Sequence, residues 1–324
     1  MVVALTSIRW LWPICDGGPV VKPSRAAHGY DLEADLHQRL RGPVAPAALR
    51  WVETVTGEQV VKQRALEGGN SSAVHRLTLQ AHSGANRDVV LRRYVLDWVD
   101  AEPWAPGNEA LALRLLGEPE ATVPAPRLLA ADTDGRQTGT PTILMSALPG
   151  RVVWQPDDME SWLRRLAEAL PTIHALPVSP ELSEWAPYAP TPPAAPPPWS
   201  QHPRAWETAF ALYDGPRPVS GRVFLHRDYH PGNILWTNDH IVGFVDWVSS
   251  CAGPPEEDVA HCRANLAIHH GQQQADRFLQ LWQDVTGRRD YDPYFDLTSI
   301  VSLNVTEPDL ALDQFVAAAA ARIS

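Results

Sequence analysis

Apolar and polar positions alternate with a period of two through several short stretches of the first half of the chain, and apolar positions recur every three or four residues through much of the second half. Residues 59–66 read as a strand, Glu67-Gly68-Gly69-Asn70-Ser71-Ser72 as a turn, and the stretch to Leu79 as the returning strand. A third strand follows over 88–96, with Val90 and Arg92 on one face. Asn108–Leu116 predicts a helix with Asn108 as its N-cap and Gly117 past its end. Val123–Asp132 leads into another strand, and Pro141–Gly150 is an apolar strand ending at a breaker. Trp162, Leu163, Leu166, Leu170 and Ile173 then keep helical spacing over 157–176. Further helices are predicted over 206–213, from Glu256 through Leu266, over 275–286, and in parts of the tail beyond Asp292. Upstream of the first strand, Leu32, Leu36 and Leu40 suggest a helix stopped by Gly42-Pro43, and Pro46–Leu49 a second short turn.

Two segments break these patterns. Residues 1–30 show no steady periodicity and read as a loosely held arm, and residues 186–203 carry so many prolines that a stiff extended segment is expected. The whole chain has 324 residues, 31 of them proline and 13 tryptophan, and the tryptophans suit the walls of an organic-ligand site. Its formal charge of −11 disfavours nucleic acid as a partner and favours neutral or cationic small molecules. Cys15, Cys251 and Cys262 form no C-x-x-C pair and read as reduced thiols of a cytoplasmic protein. Arg9 and Pro13 interrupt the apolar start, so it does not read as a signal peptide, and no apolar run approaches the ~18 residues of a membrane span.

The chemistry concentrates in Leu225-His226-Arg227-Asp228-Tyr229-His230-Pro231-Gly232-Asn233 and in Ile241-Val242-Gly243-Phe244-Val245-Asp246-Trp247. An apolar run delivers a carboxylate into a polar turn, an amide follows five residues later, and a second apolar run ends in another carboxylate. Two hairpin strands would bring the three groups together. Phosphoryl transfer uses such a set because its demands are positioning and charge neutralisation: one carboxylate orients the attacking hydroxyl, and the other, with an amide oxygen, holds Mg²⁺. His226 and His230 lack a partnered ligand set for zinc.

His226-Arg227-Asp228 through Asn233 fits the kinase catalytic-loop pattern H-R-D-x-x-x-x-N, and the chain resembles the aminoglycoside phosphotransferase family of small-molecule kinases. Asp246-Trp247-Val248 stands where protein kinases carry Asp-Phe-Gly, and residues 246–258 leave no room for a protein-kinase activation segment. The resemblance implies an α+β, two-lobed protein-kinase-like fold: a mainly β N-lobe over 31–147 and a mainly helical C-lobe over 148–324. It implies Asp228 as catalytic base and Asn233 with Asp246 as Mg²⁺ ligands. It places Arg92, or the adjacent Arg93, with Glu109 at the phosphates of ATP or GTP. Gly68, Gly69, Asn70 and Ser71 would cover those phosphates; taken alone the stretch reads better as a plain hairpin turn, and its position upstream of Arg92 and Glu109 is what favours the nucleotide. Met145, Ser146 and Ala147 would meet the nucleobase through their backbone. Asp258 would brace the catalytic loop, and His174 reads as a packing or capping residue. Glu307, Asp309 and Asp313 form either a solvated helix face or an acidic wall for a cationic acceptor.

The expected activity is transfer of a γ-phosphoryl group to a hydroxyl of a small molecule, by a monomer or homodimer. An aminoglycoside-like antibiotic, with resistance as the role, is one acceptor class. Macrolides and metabolic acceptors such as choline, sugars or amino alcohols are others, and a catalytically inactive kinase-like binding module is the non-enzymatic alternative.

Overall fold

The computed structural model describes residue 32 and residues 34–189, 191–303, 305 and 308–323; the arm expected over 1–30 lies outside them, as does Glu307. The described chain divides into two compact units. One runs to Gly150 and takes back Val242–Val248; the other comprises Arg151–Ile241 and the chain from Ser249 onward.

The first unit opens with α1 (Ala34–Arg41) and α2 (Pro46–Thr56). Pro46 needs no amide partner at a helix start, and Gly57 at φ 69° closes the last turn by donating to the Glu53 carbonyl, so the expected short turn extends to 11 residues. Three strands follow, β1 (Gln59–Ala65), β2 (Ala73–Gln80) and β3 (Asn86–Arg93), then α3 (Trp98–Ala101), α4 (Ala105–Leu116), β4 (Leu128–Asp132) and β5 (Thr142–Ser146). The strands form one antiparallel sheet in the order β1-β2-β3-β5-β4. One sheet face, through Leu77, Leu79, Val89, Leu91 and Leu144, buries Ala48, Trp51 and Val52 of α2. Period-two alternation therefore turns Val90 and Arg92 to the opposite face. Helix α4 begins three residues before the expected cap, because Pro106 fits its first turn; Asn108 is inside the helix and donates its side-chain amide to the Val248 carbonyl at 2.8 Å.

The second unit contains α5 (Met159–His174), α6 (Pro203–Tyr213), β6 (Val223–Leu225), a 3₁₀ turn (Pro231–Asn233), β7 (Ile234–Thr237) and β8 (His240–Phe244), the last of which crosses into the first unit. After β9 (Cys251–Gly253) come α7 (Glu256–His270), α8 (Gln272–Thr286), α9 (Pro293–Leu303) and α10 (Leu310–Ala320). Helix α7 is buried on nearly every side, charged residues included. Buried charges persist only when paired. Arg263 accordingly donates to both oxygens of Asp296, at 2.9 and 3.0 Å, and to the Ala275 carbonyl.

Candidate active site

Strand β6 pairs with β9 in the register Val223↔Gly253, Phe224↔Ala252, Leu225↔Cys251, so the catalytic-loop stretch leaves a pinned strand. The next two backbone amides are captured by α7: His226 N–H and Arg227 N–H donate to the two oxygens of Asp258 at 3.1 and 2.6 Å. Arg227 adopts φ 66°, a left-handed conformation unfavourable for a long side chain, and this sharp bend turns the chain into Asp228. Further along, Gly232 N–H donates to His230 Nδ1 at 3.0 Å. Glycine is required there by close approach, since a methyl group would fall 2.6 Å from the His230 ring and 3.0 Å from Trp154. The turn delivers Asn233, whose amide nitrogen donates to Oδ2 and to the carbonyl of Asp228, both at 2.9 Å. That leaves its amide oxygen as the branch directed away from Asp228.

The Asp228 carboxylate has two imidazoles beside its other oxygen. His261 Nε2 lies 2.9 Å from Oδ1 and His230 Nε2 3.6 Å from it. Burial alone would push this carboxyl up, but His230 and then His261 favour its ionised form and hold it well below the usual carboxylate range. An ionised, half-buried carboxylate is the form a hydroxyl-orienting base needs.

A second set of groups lies in the other unit. Arg92 Nη1 donates to Glu109 Oε1 at 2.9 Å and to Asp246 Oδ1 at 2.6 Å, while the Tyr94 hydroxyl donates to Glu109 Oε2 at 2.5 Å. Burial opposes the charge on Arg92, yet Asp246 and then Glu109 outweigh it and raise the guanidinium well above its ordinary value. The fold thus singles out Arg92 for the pair with Glu109; the adjacent Arg93 points to the other side of the sheet. Asp246 sits at φ 67°, a conformation aspartate tolerates better than most residues. Gly68, Gly69, Asn70 and Ser71 form the turn between β1 and β2, with Gly68 at φ 101°; Arg41 donates to the Gly69 carbonyl and Trp98 Nε1 to the Ser71 carbonyl at 2.6 Å. Met145 is laddered to strands on both sides, Ser146 N–H donates to the Arg127 carbonyl, and Ala147 lies just past the strand end.

Some residues near Asp228 escaped the sequence reading. His230 does gain partners: Asp228, His230 and His261 form a group whose ligand atoms lie within 4.8 Å of one another. The Gly232 amide donates to His230 Nδ1, however, so the ring proton belongs on Nε2, which presents a donor to Asp228 rather than a lone pair to a metal. His261 had one available signal: it is three residues beyond Asp258 and so shares its helix face. His174 proves to contact Asp258, with Nε2 3.0 Å from Oδ2. Asp313 belongs to neither a solvated face nor an acidic wall. Asp309 caps α10 through Leu312 N–H, and Asp313 is buried, accepting from Ser200 Oγ, Gln201 N–H and Trp206 Nε1, because the end of the proline-rich segment has donors that need an acceptor.

Residues 62–294 match the sequence profile described as the phosphotransferase enzyme family, APH. The chain belongs to that family. Among solved structures, this phosphotransferase-family chain is similar to aminoglycoside phosphotransferase APH(4)-Ia, at 14% identity and TM-score 0.57 over 86% of this chain and 99% of the other. A thermostable mutant of that protein, in a ternary complex with ADP and hygromycin B, aligns at 15% identity and TM-score 0.55 over 85% and 98% of the two chains. Spectinomycin phosphotransferase APH(9)-Ia, in complex with ADP and spectinomycin, aligns at 12% identity and TM-score 0.51 over 83% and 97%. No curated protein matches the chain in sequence. The fold is the α+β, protein-kinase-like fold of these enzymes, with a five-stranded antiparallel sheet in the first unit and a helical second unit. No helix among the described residues is long and apolar enough to cross a membrane.

Proposed function

We propose that the chain is an O-phosphotransferase that moves the γ-phosphoryl group of ATP or GTP to a hydroxyl of a small molecule. The observation that carries this reading is the Asp228 carboxylate, ionised, held by Asn233 at one oxygen and placed in a loop anchored to α7. Asp228 accepts the hydrogen bond of the acceptor hydroxyl, aligns its oxygen on phosphorus and takes its proton as the P–O bond forms. Asn233 and Asp246 fit Mg²⁺, since an amide oxygen and a carboxylate are hard donors of the type that ion takes, and the bound ion supplies neutralisation of phosphate charge. Arg92, kept charged by Glu109 and Asp246, orients the nucleotide phosphates, with the turn at Gly68–Ser71 beside them and Ala147 offering backbone groups to the base. Residues 31–147 serve the nucleotide in this reading, and residues 148–324 serve the acceptor and the chemistry.

A polyhydroxylated amine of the aminoglycoside type is the acceptor class we favour. The formal charge of −11 supports it by drawing in a cationic acceptor. The neighbours crystallised with ADP and with hygromycin B or spectinomycin support the same pairing of nucleotide and acceptor. The test is a coupled nucleotide-diphosphate release assay with ATP or GTP and Mg²⁺ across aminoglycosides, spectinomycin, macrolides, choline, sugars and amino alcohols. Acceptor-dependent release, lost by about 10³-fold or more in Asp228→Asn with nucleotide binding retained, is expected. Full turnover in Asp228→Asn would overturn the assignment.

A further inference from the structure

We propose that His261 is a positioning residue for the Asp228 carboxylate, holding Oδ1 while Asn233 holds Oδ2. The inference rests on Asp228 being the base of the phosphotransfer. Its first support is the placement of His261. The ring is 96% buried, Nε2 lies 2.9 Å from Asp228 Oδ1, and the same nitrogen has no aligned hydrogen-bond partner. A buried ring nitrogen left unpaired is costly, and the nearby carboxylate oxygen is the acceptor that a small rotation of either side chain aligns.

The second support is the geometry of the carboxylate. The torsion that swings an aspartate carboxylate about Cβ–Cγ is broad and roughly two-fold, so one hydrogen bond does not fix its plane. Asn233 Nδ2 restrains Oδ2 at 2.9 Å. On the Oδ1 side the His230 nitrogen stands off at 3.6 Å, which leaves His261 as the close contact. Two restraints, one at each oxygen, orient the remaining lone pair of Oδ2 toward an incoming hydroxyl.

The third support is common mounting. Asp258 and His261 are three residues apart on α7, and Asp258 receives the backbone amides of His226 and Arg227. One turn of one helix thereby sets both the backbone of the loop and the side chain that does the chemistry. Misplacing a reacting group by an ångström costs about 10²-fold in rate, so loss of the His261 restraint is expected to lower kcat by about 10- to 100-fold while leaving KM values within about twofold.

The experiment compares His261→Gln with His261→Leu. A packing role favours Leu, which refills the apolar volume; a positioning role favours Gln, which keeps an N–H donor. The expected result is a kcat loss in His261→Leu that His261→Gln partly restores, with wild-type nucleotide affinity and a thermal midpoint close to wild type in both. Equal kcat in wild type and Leu, or recovery by Leu and not by Gln, overturns the proposal. A readout that needs no turnover accompanies it: long-range ¹H–¹⁵N spectra of the histidine rings in wild type and Asp228→Asn. The His261 Nε2 resonance is expected to be protonated and to move in Asp228→Asn; an unmoved resonance also overturns the proposal. Failure of the underlying functional reading looks different. In that case Asp228→Asn itself retains turnover, whereas failure of this inference alone leaves Asp228→Asn inactive and His261→Leu active.

Discussion

Replacing Asp258 by Asn exchanges one carboxylate oxygen for an NH₂ group and tests how the loop is held. Asp258 is completely buried; Oδ1 accepts from Arg227 N–H at 2.6 Å, and Oδ2 accepts from His226 N–H at 3.1 Å with His174 Nε2 3.0 Å away. Asparagine has one acceptor oxygen, so whichever way its amide turns, an NH₂ group confronts a backbone N–H. One charge-assisted bond worth about 1.5–3 kcal/mol is lost, and a buried N–H is left unpaired at a cost of about 1–3 kcal/mol. In the orientation that turns the NH₂ group to Arg227, the lost bond is also the one that restrains its left-handed φ of 66°. A stability loss of about 3 kcal/mol follows, read as a lower urea midpoint at unchanged slope. Because Asp228 is the next residue after Arg227, turnover is expected to fall at least about tenfold while nucleotide affinity by calorimetry holds within about twofold. A stability change below about 0.5 kcal/mol with unaltered kcat would refute the reasoning, since surface substitutions of no consequence fall in that range.

Other sites give sharper single readouts. Arg92→Leu leaves Glu109 buried without its cation and is expected to destabilise by about 3–5 kcal/mol in thermal unfolding, because an uncompensated buried charge is worse than an absent pair. Gly232→Ala forces a methyl group against His230 and Trp154, for an expected loss of about 1–3 kcal/mol and reduced turnover; a wild-type melt would show that the loop yields freely. Glu257 is pushed up to about 8, chiefly by burial, against the pull of Arg217 and then Arg227. The folded state therefore keeps a proton that the unfolded chain has released, and stability falls as pH rises from the ordinary carboxylate range toward about 8. Glu257→Gln should flatten that decline by a few kcal/mol in urea titrations between about pH 5 and about pH 8, and parallel wild-type and Gln curves would contradict it.

What the sequence disclosed and what it concealed follow from contact range. The face of β3 that carries Arg92 was readable because strand alternation is local, and α2 and the sheet then bury the opposite face. Helix α4 was found, with its start displaced, because Asn108 is as good a cap as Pro106 is a first-turn residue and only tertiary packing chose between them. Asp313 was misread for a different reason. Its partners Ser200, Gln201 and Trp206 are more than a hundred residues away, and nothing local distinguishes a buried acid from a solvated one.

Helix α7 carries the point further. Glu256-Glu257-Asp258 looks like an acidic first turn laid against a helix dipole, yet all three side chains are buried and each answers to a distant group. Glu256 accepts from Ser220 and Arg288, Asp258 takes the loop amides, and Glu257 carries a carboxyl raised by burial. A helix buried on every side has no periodicity to read, so its polar residues are the informative ones: each must be matched to a partner that covers the cost of its burial. Applied to α7, that rule draws His261 into the account of the active site. Asp258 and Arg263 find aligned partners, whereas His261 Nε2 is buried with the Asp228 carboxylate 2.9 Å away and the His230 ring close by. The Asp228 carboxylate is the acceptor that can offset the burial of that nitrogen, so the proposed restraint on Asp228 and the placement of a polar ring at residue 261 stand or fall together.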